Sequence, residues 1–126
     1  MKILVVDDEP LAQQRLKQLL SDIGSVESIY FANNGLESIE SCQDNSPDLV
    51  LMDIRMPGMD GLEAAQHLSQ IDSPPAIIFT TAYDEYALKA FDVSAVGYLL
   101  KPVRTEALEE AIKKSQKTQS SSAKHY

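Results

Sequence analysis

Unbroken apolar runs recur at Ile3–Val6, Leu49–Met52, Ala76–Phe79 and Val96–Leu100, each too short to be a helix that buries itself. A strand with one wet face alternates apolar and polar residues, so continuous runs of this length describe strands covered on both faces. A fifth, mixed run at Val26–Phe31 suits a strand nearer the edge of the sheet. Between the runs, apolar residues return at helical spacing: Ala12, Leu16, Leu19, Leu20 and Ile23; Leu36 and Ile39; Leu62, Ala65 and Leu68; Ala87, Ala90 and Phe91; Leu108, Ala111 and Ile112. This alternation predicts an α/β fold, a doubly wound (βα)5 sandwich around a five-stranded parallel sheet.

With 126 residues the chain has room for one ordinary domain, and 44% hydrophobic residues are enough to fill its core. Pro10 suits a first helical position, and Asn34 with Glu37 and Asp60 with Glu63 have the spacing of a helix cap and its reciprocal partner. Near the end the apolar face disappears: Gln116, Gln119 and Ser120–Ser122 give nothing to bury. The expected organisation is a folded body over 1–116 and a polar linker or tail over 117–126. Cys42 is the only cysteine, so no internal disulfide forms, and its place after Ile39 predicts a partly buried thiol.

In an open α/β sheet, ligands bind beyond the carboxyl ends of the strands. Asp7, Asp8 and Glu9 follow the first run, Asp53 the third, Thr80 and Thr81 the fourth, and Lys101 and Pro102 the fifth. If the strand order is 2-1-3-4-5, the first and third strands are neighbours at the reversal, which would bring Asp7 and Asp8 beside Asp53. Carboxylates this close need a proton or a cation, and Mg2+ is the hard ion that binds through a few carboxylates, waters and phosphate. A cation, a lysine, a hydroxyl and a carboxylate converging on one spot suit phosphoryl transfer, with Asp53 as nucleophile. Alone, each residue also has a bland reading: Asp8 as a helix cap ahead of Pro10, Asp53 as a turn residue before Met56-Pro57-Gly58, Thr80, Thr81 and Lys101 as ordinary strand-end residues. Their coincidence at four strand ends favours the site. His67 and His125 have no second ligand nearby in the sequence and receive no role.

The segments ILVVDDEP at 3–10, LVLMDIRMPGMDG at 49–61, TTA at 80–82 and GYLLKP at 97–102 resemble, in order and spacing, the receiver domain of two-component response regulators. The resemblance covers residues 2–114 and implies a flavodoxin-like sheet of order 2-1-3-4-5. By resemblance, Asp53 accepts a phosphoryl group from a phosphohistidine of a sensor histidine kinase. Asp8, Asp53 and the backbone carbonyl of Arg55 hold Mg2+, with Asp7 acting through water. Thr81, which directly precedes Ala82, and Lys101 engage the phosphoryl group, and Lys101-Pro102 matches a cis peptide. Tyr98 is the aromatic that moves with Thr81, and Gly61 relieves crowding at the turn into the third helix. The domain is then a phosphoacceptor, not an enzyme acting on other molecules, and its output surface is the fourth helix, fifth strand and fifth helix.

The stretch FTTAYDEYALKAFDVSAVGYLLKPV at 79–103 is most similar to receivers of the LytTR-type subclass, which place a β-rich DNA-binding domain after the receiver. Gly97 departs from that subclass, which commonly has Asp before the tyrosine. The implied output is transcription through a DNA-binding domain not present here; the alternative is a stand-alone receiver that binds a partner protein directly. Tyr86, Ala87, Ala90, Phe91 and Val93 give the fourth helix more apolar residues than one buried face needs, which predicts a homodimer through that helix and the fifth strand.

Other classes fit poorly. A hydrolase-type phosphotransferase with an aspartate nucleophile needs DxDxT after the first strand, where Asp7-Asp8-Glu9-Pro10 stands, and neither GxxxxGK nor GxGxxG is present. The net charge of −8 repels nucleic acid phosphates. The opening residues do not read as a signal peptide, and no run reaches the roughly 18 apolar residues of a membrane span, so a cytoplasmic location without membrane contact is expected.

Overall fold

The computed structural model describes residues 1–83 and 95–124, with side chains described as far as Gln116. In chain order the elements are β1 (Lys2–Val6), α1 (Pro10–Ser21), β2 (Ser28–Ala32), α2 (Gly35–Asn45), β3 (Leu49–Asp53), α3 (Gly61–Leu68), β4 (Ala76–Thr81), β5 (Gly97–Leu100) and α4 (Thr105–Lys124). The stretch expected to form a helix with Tyr86, Ala87, Ala90, Phe91 and Val93 lies outside the described residues.

All strand pairs are parallel and the sheet order is β2-β1-β3-β4-β5, as expected. The apolar runs do what continuous hydrophobicity requires. Leu4, Val6, Val50, Met52, Ile77 and Phe79 point to one face, where Cys42, Ala64, Ala65 and Leu68 of α2 and α3 cover them. Ile3, Val5, Leu49, Leu51, Ile78 and Leu99 point to the other, against Leu16 and Leu20 of α1 and Leu108, Ala111 and Ile112 of α4. Alternation along each strand thus feeds two cores from one sheet.

Three local expectations need correction. The second strand starts at Ser28, not Val26, because Val26 closes a turn by donating its N–H to Ile23 at 3.1 Å. Leu36 is 58% exposed; the buried face of α2 is Gly35, Ser38 and Cys42. A Cβ on Gly35 would meet the Met59 carbonyl oxygen at 2.8 Å, and this close approach of the helix start turns Leu36 outward. Cys42 is buried outright, and burial raises its thiol pKa to about 11. The C-terminal helix runs as far as Lys124, and neither Gly nor Pro stands within it.

Both anticipated caps form: Asn34 accepts from the Glu37 N–H and Asp60 from the Glu63 N–H, each at 2.9 Å. The reciprocal bond of Glu37 goes to the N–H of Asn33, one residue before the cap. At α1 the cap position is Glu9, without a side-chain bond, so Asp8 is not consumed as a cap.

Gly61 opens α3 where space is least. Its N–H donates to the Ile54 carbonyl at 2.8 Å, and a Cβ there would sit 2.1 Å from the Asp53 carbonyl oxygen. Gly61→Ala is expected to cost about 1–3 kcal/mol of stability, because backbone must move to admit it. Gly24→Ala, with no atom within 4 Å of the added carbon, should stay within about 1 kcal/mol of wild type in the same urea titration.

Candidate functional site

The carboxyl ends of β1 and β3 meet because these strands are paired neighbours, with Val6 opposite Met52. Asp7 leaves β1 and Asp53 ends β3, so both carry the parity of the face that packs on α1 and α4. One oxygen from each of Asp7, Asp8 and Asp53 can be chosen so that all lie within 4.8 Å of one another. Asp7 and Asp53 are buried and Asp8 is exposed. Lys101, arriving from the end of β5, places its ammonium 2.8 Å from Asp7 Oδ2 and 3.6 Å from Asp53 Oδ2. Its backbone N–H donates to the Thr81 carbonyl at 2.7 Å, extending the sheet pairing one residue past β5. The Lys101–Pro102 peptide bond is cis.

Burial raises the Asp53 pKa, and the charge of Asp7 adds to it; Lys101 opposes, Asp8 raises it again, and the result is about 6. For Lys101, burial alone would lower the pKa, but the hydrogen bond to Asp7 and the charges of Asp53, Asp7 and Glu9 outweigh it and hold the ammonium above its ordinary value. Three carboxylates facing one lysine leave an excess of negative charge that a hard cation would relieve, and the donors are all oxygen, so the set fits Mg2+. Asp7 has little capacity left: Oδ1 accepts from the Glu9 N–H at 2.9 Å and Oδ2 from Lys101.

Thr80 and Thr81 diverge by one step along β4. Thr81 shares the face of Tyr98, which packs partly buried against the α2–α3 core. Thr81 Oγ1 accepts from the Tyr83 N–H at 3.3 Å, and the Tyr98 hydroxyl donates to the Tyr83 carbonyl. The Tyr83 ring in turn carries the Arg55 guanidinium 4.6 Å from its centroid. Tyr83 therefore joins Thr81, Tyr98 and the loop after Asp53. Sequence reasoning gave it little weight, since two of these links run through its backbone, which residue type does not reveal. Thr80 lies on the Asp53 face, fully buried, and its hydroxyl has no partner among the described residues.

The sequence model of the response regulator receiver domain matches residues 3–113. The chain is similar to the Positive alginate biosynthesis regulatory protein of Pseudomonas aeruginosa, 53% identical over 91% of this chain and 47% of that protein. It is 44% identical to the Sensory transduction protein LytT of Bacillus anthracis, over 96% of this chain and 49% of that protein. Transcriptional regulatory protein LytR of Staphylococcus aureus is 40% identical, over 94% and 48%. The chain thus spans about half the length of these relatives. Among solved structures it is similar to the response regulatory domain of protein mrkE from Klebsiella pneumoniae, with a TM-score of 0.83, 35% identity and coverage of 94% of this chain and 97% of that one. Among the described residues, no helix is long and apolar enough to cross a membrane.

The raised pKa of Asp53 has a definite sign for stability. Its folded value of about 6 exceeds the ordinary aspartate value of 3.8, so the fold is favoured by this group below pH ~4 and that advantage is lost as pH rises through about 6. Without divalent ions, Asp53→Asn should melt higher than wild type at pH 8, by up to about 3 kcal/mol in stability, and nearly equal to it at pH 4. Adding Mg2+ at pH 8 should narrow the gap by raising wild type alone.

Proposed function

The chain belongs to the response regulator receiver domain family, and on that premise we propose that Asp53 accepts a phosphoryl group from a phosphohistidine of a sensor histidine kinase. The observation that carries this reading is the burial of Asp53 between the Lys101 ammonium and the Asp7–Asp8 pair at adjoining strand ends. Mg2+, when bound, would neutralise charge on the carboxylates and the incoming phosphoryl oxygens. Asp8 and Asp53 would hold it directly, with the Arg55 carbonyl. Asp7, whose oxygens already accept from Glu9 and Lys101, would serve through water.

In the transfer a carboxylate oxygen of Asp53 forms a bond to phosphorus as the phosphorus–nitrogen bond breaks, its electron pair returning to the imidazole. Asp53 must be ionised to attack, a condition met above its pKa of about 6. Lys101 stabilises the charge on the phosphoryl oxygens and keeps Asp7 paired. Thr81 turns toward the new phosphoryl group and releases the Tyr83 N–H, so that Tyr83 and Tyr98 rearrange together. The change reaches β5, α4 and the adjoining segment that carries Tyr86–Val93. The output is regulation of transcription in the cytoplasm, through a C-terminal DNA-binding domain of the LytTR type that follows a linker beginning near residue 117. The half-length match to a transcriptional regulatory protein supports this. Homodimerisation would use the same surface, where the edge strand β5 presents Leu100, 50% exposed.

Intact mass after incubation with Mg2+ and a small-molecule phosphoryl donor tests the reading. Wild type should gain one phosphoryl mass, and Asp53→Asn, or wild type treated first with a chelator, should gain none. Equal gain by both proteins would remove Asp53 from the mechanism.

A further inference from the structure

Thr80 is out of place in its row. On the face that packs against α1 and α4, β4 presents Ala76, Ile78 and then Thr80, fully buried at a position where an isosteric valine would continue the pattern. Its hydroxyl has no hydrogen-bond partner among the described residues, and an unpartnered buried hydroxyl is a cost with no return in this state. Register places it directly beside the acceptor: Asp53 is the β3 partner of Thr80, and Leu99 is its partner on β5. Residues paired in adjacent parallel strands present their side chains on the same face, about 4.8 Å apart along the hydrogen-bonding direction. Rotation of the Thr80 side chain about its first torsion would move its hydroxyl along that row, toward Asp53 on one side or Leu99 on the other.

In the resting state Asp53 Oδ2 faces the Lys101 ammonium at 3.6 Å. Phosphorylation converts one oxygen of Asp53 to an ester oxygen, leaves the other as a carbonyl and draws Lys101 toward the phosphoryl oxygens. That carbonyl oxygen, which would still serve Mg2+, then has one acceptor position left open on the side where Lys101 stood. We propose that Thr80 is a positioning residue whose hydroxyl, idle in the resting state, donates to the free Asp53 oxygen once the other is esterified. The neighbouring Thr81 addresses the phosphoryl group from the opposite face, so consecutive residues of β4 hold the two halves of the acyl phosphate. This inference rests on the phosphoacceptor reading of Asp53 and adds to it a residue that the family resemblance leaves without a role.

The test uses beryllofluoride, which fills the acceptor carboxylate as a phosphoryl mimic, with Mg2+ and calorimetric detection. Thr80→Val keeps the shape and removes the hydroxyl. It should bind beryllofluoride about tenfold more weakly, the loss of one neutral hydrogen bond. Its ligand-free form should melt at or above the wild-type temperature, because the idle hydroxyl is gone. Thr80→Ser, which keeps the hydroxyl, should restore affinity to within about twofold of wild type. A structural role would predict the reverse in the ligand-free protein, a lower melting temperature with affinity unchanged.

Binding by Thr80→Val within twofold of wild type would overturn the proposal, whatever its melting temperature, and would leave the hydroxyl bound to a buried water. Should Thr80→Val lack a melting transition, Thr80→Ser and Thr80→Ala decide: weakened binding in the alanine variant alone supports the proposal, and equal binding overturns it. Failure of wild type to bind, or equal binding by Asp53→Asn, would instead overturn the phosphoacceptor reading and the role of Thr80 with it.

Discussion

Mutual repulsion among Asp7, Asp8 and Asp53 is the constraint around which the rest of this structure is arranged. Two unit charges 4 Å apart repel by about 4 kcal/mol at an effective dielectric of 20, and here two of the three carboxylates are buried. Among the described residues, Lys101 is the cation that pairs with both Asp7 and Asp53. The force that holds the cluster together comes from below: β1 from Ile3 to Val6 and β3 from Leu49 to Met52 are apolar and covered on both faces, and their pairing brings Asp7 and Asp53 to the same level whatever their charges prefer. The raised pKa of Asp53 comes first from its burial and then from the charges of Asp7 and Asp8, which Lys101 only partly offsets. A proton or a hard cation would each relieve that repulsion.

Much of this was legible in the residues because the signals are local. An apolar run that stops at an aspartate or a lysine marks a strand end, and parallel alternation puts all such ends on one side, so Asp7, Asp8, Asp53 and Lys101 are found without coordinates. What stayed hidden depends on distance or on backbone. Leu36 fits a helical repeat with Ile39, but the close packing of Gly35 on Met59 rotates it into solvent. Thr80 and Thr81 are told apart in sequence only by the resemblance, through Ala82, and that reading leaves unseen that Thr80 is paired with Asp53. Tyr83 acts partly through its N–H and carbonyl, groups that every non-proline residue owns. At Gly97, where the similar subclass commonly has Asp, a Cβ would meet Ile78 Cγ1 at 3.3 Å and Ala111 Cβ at 3.7 Å. That position looks toward the α4 packing, a context the linear comparison could not supply.

The two faces of the sheet divide the labour. Charge chemistry, with Asp7, Asp53 and Lys101, lies on the α1–α4 side, while Thr81 and Tyr98 look toward α2 and α3. A response to phosphate must therefore cross the sheet, and β4 is where it crosses, since its last two residues face opposite ways. Tyr83, two residues beyond Thr81, gathers the crossing into one place by bonding Thr81 through its N–H and Tyr98 through its carbonyl.

The bond between the Gly61 N–H and the Ile54 carbonyl closes the segment from Asp53 to α3 into a ring of fixed circumference. Its closure abuts the carbonyl of Asp53 itself, so a residue gained or lost there cannot be absorbed as slack. It would be transmitted either to the acceptor or to the start of α3. The connection between α3 and β4 carries no such closure onto the acceptor, and it lies at the far end of the sheet. Drift in chain length among proteins built on this plan should therefore accumulate at that end, while the Asp53 loop keeps its residue count even where its residue types change.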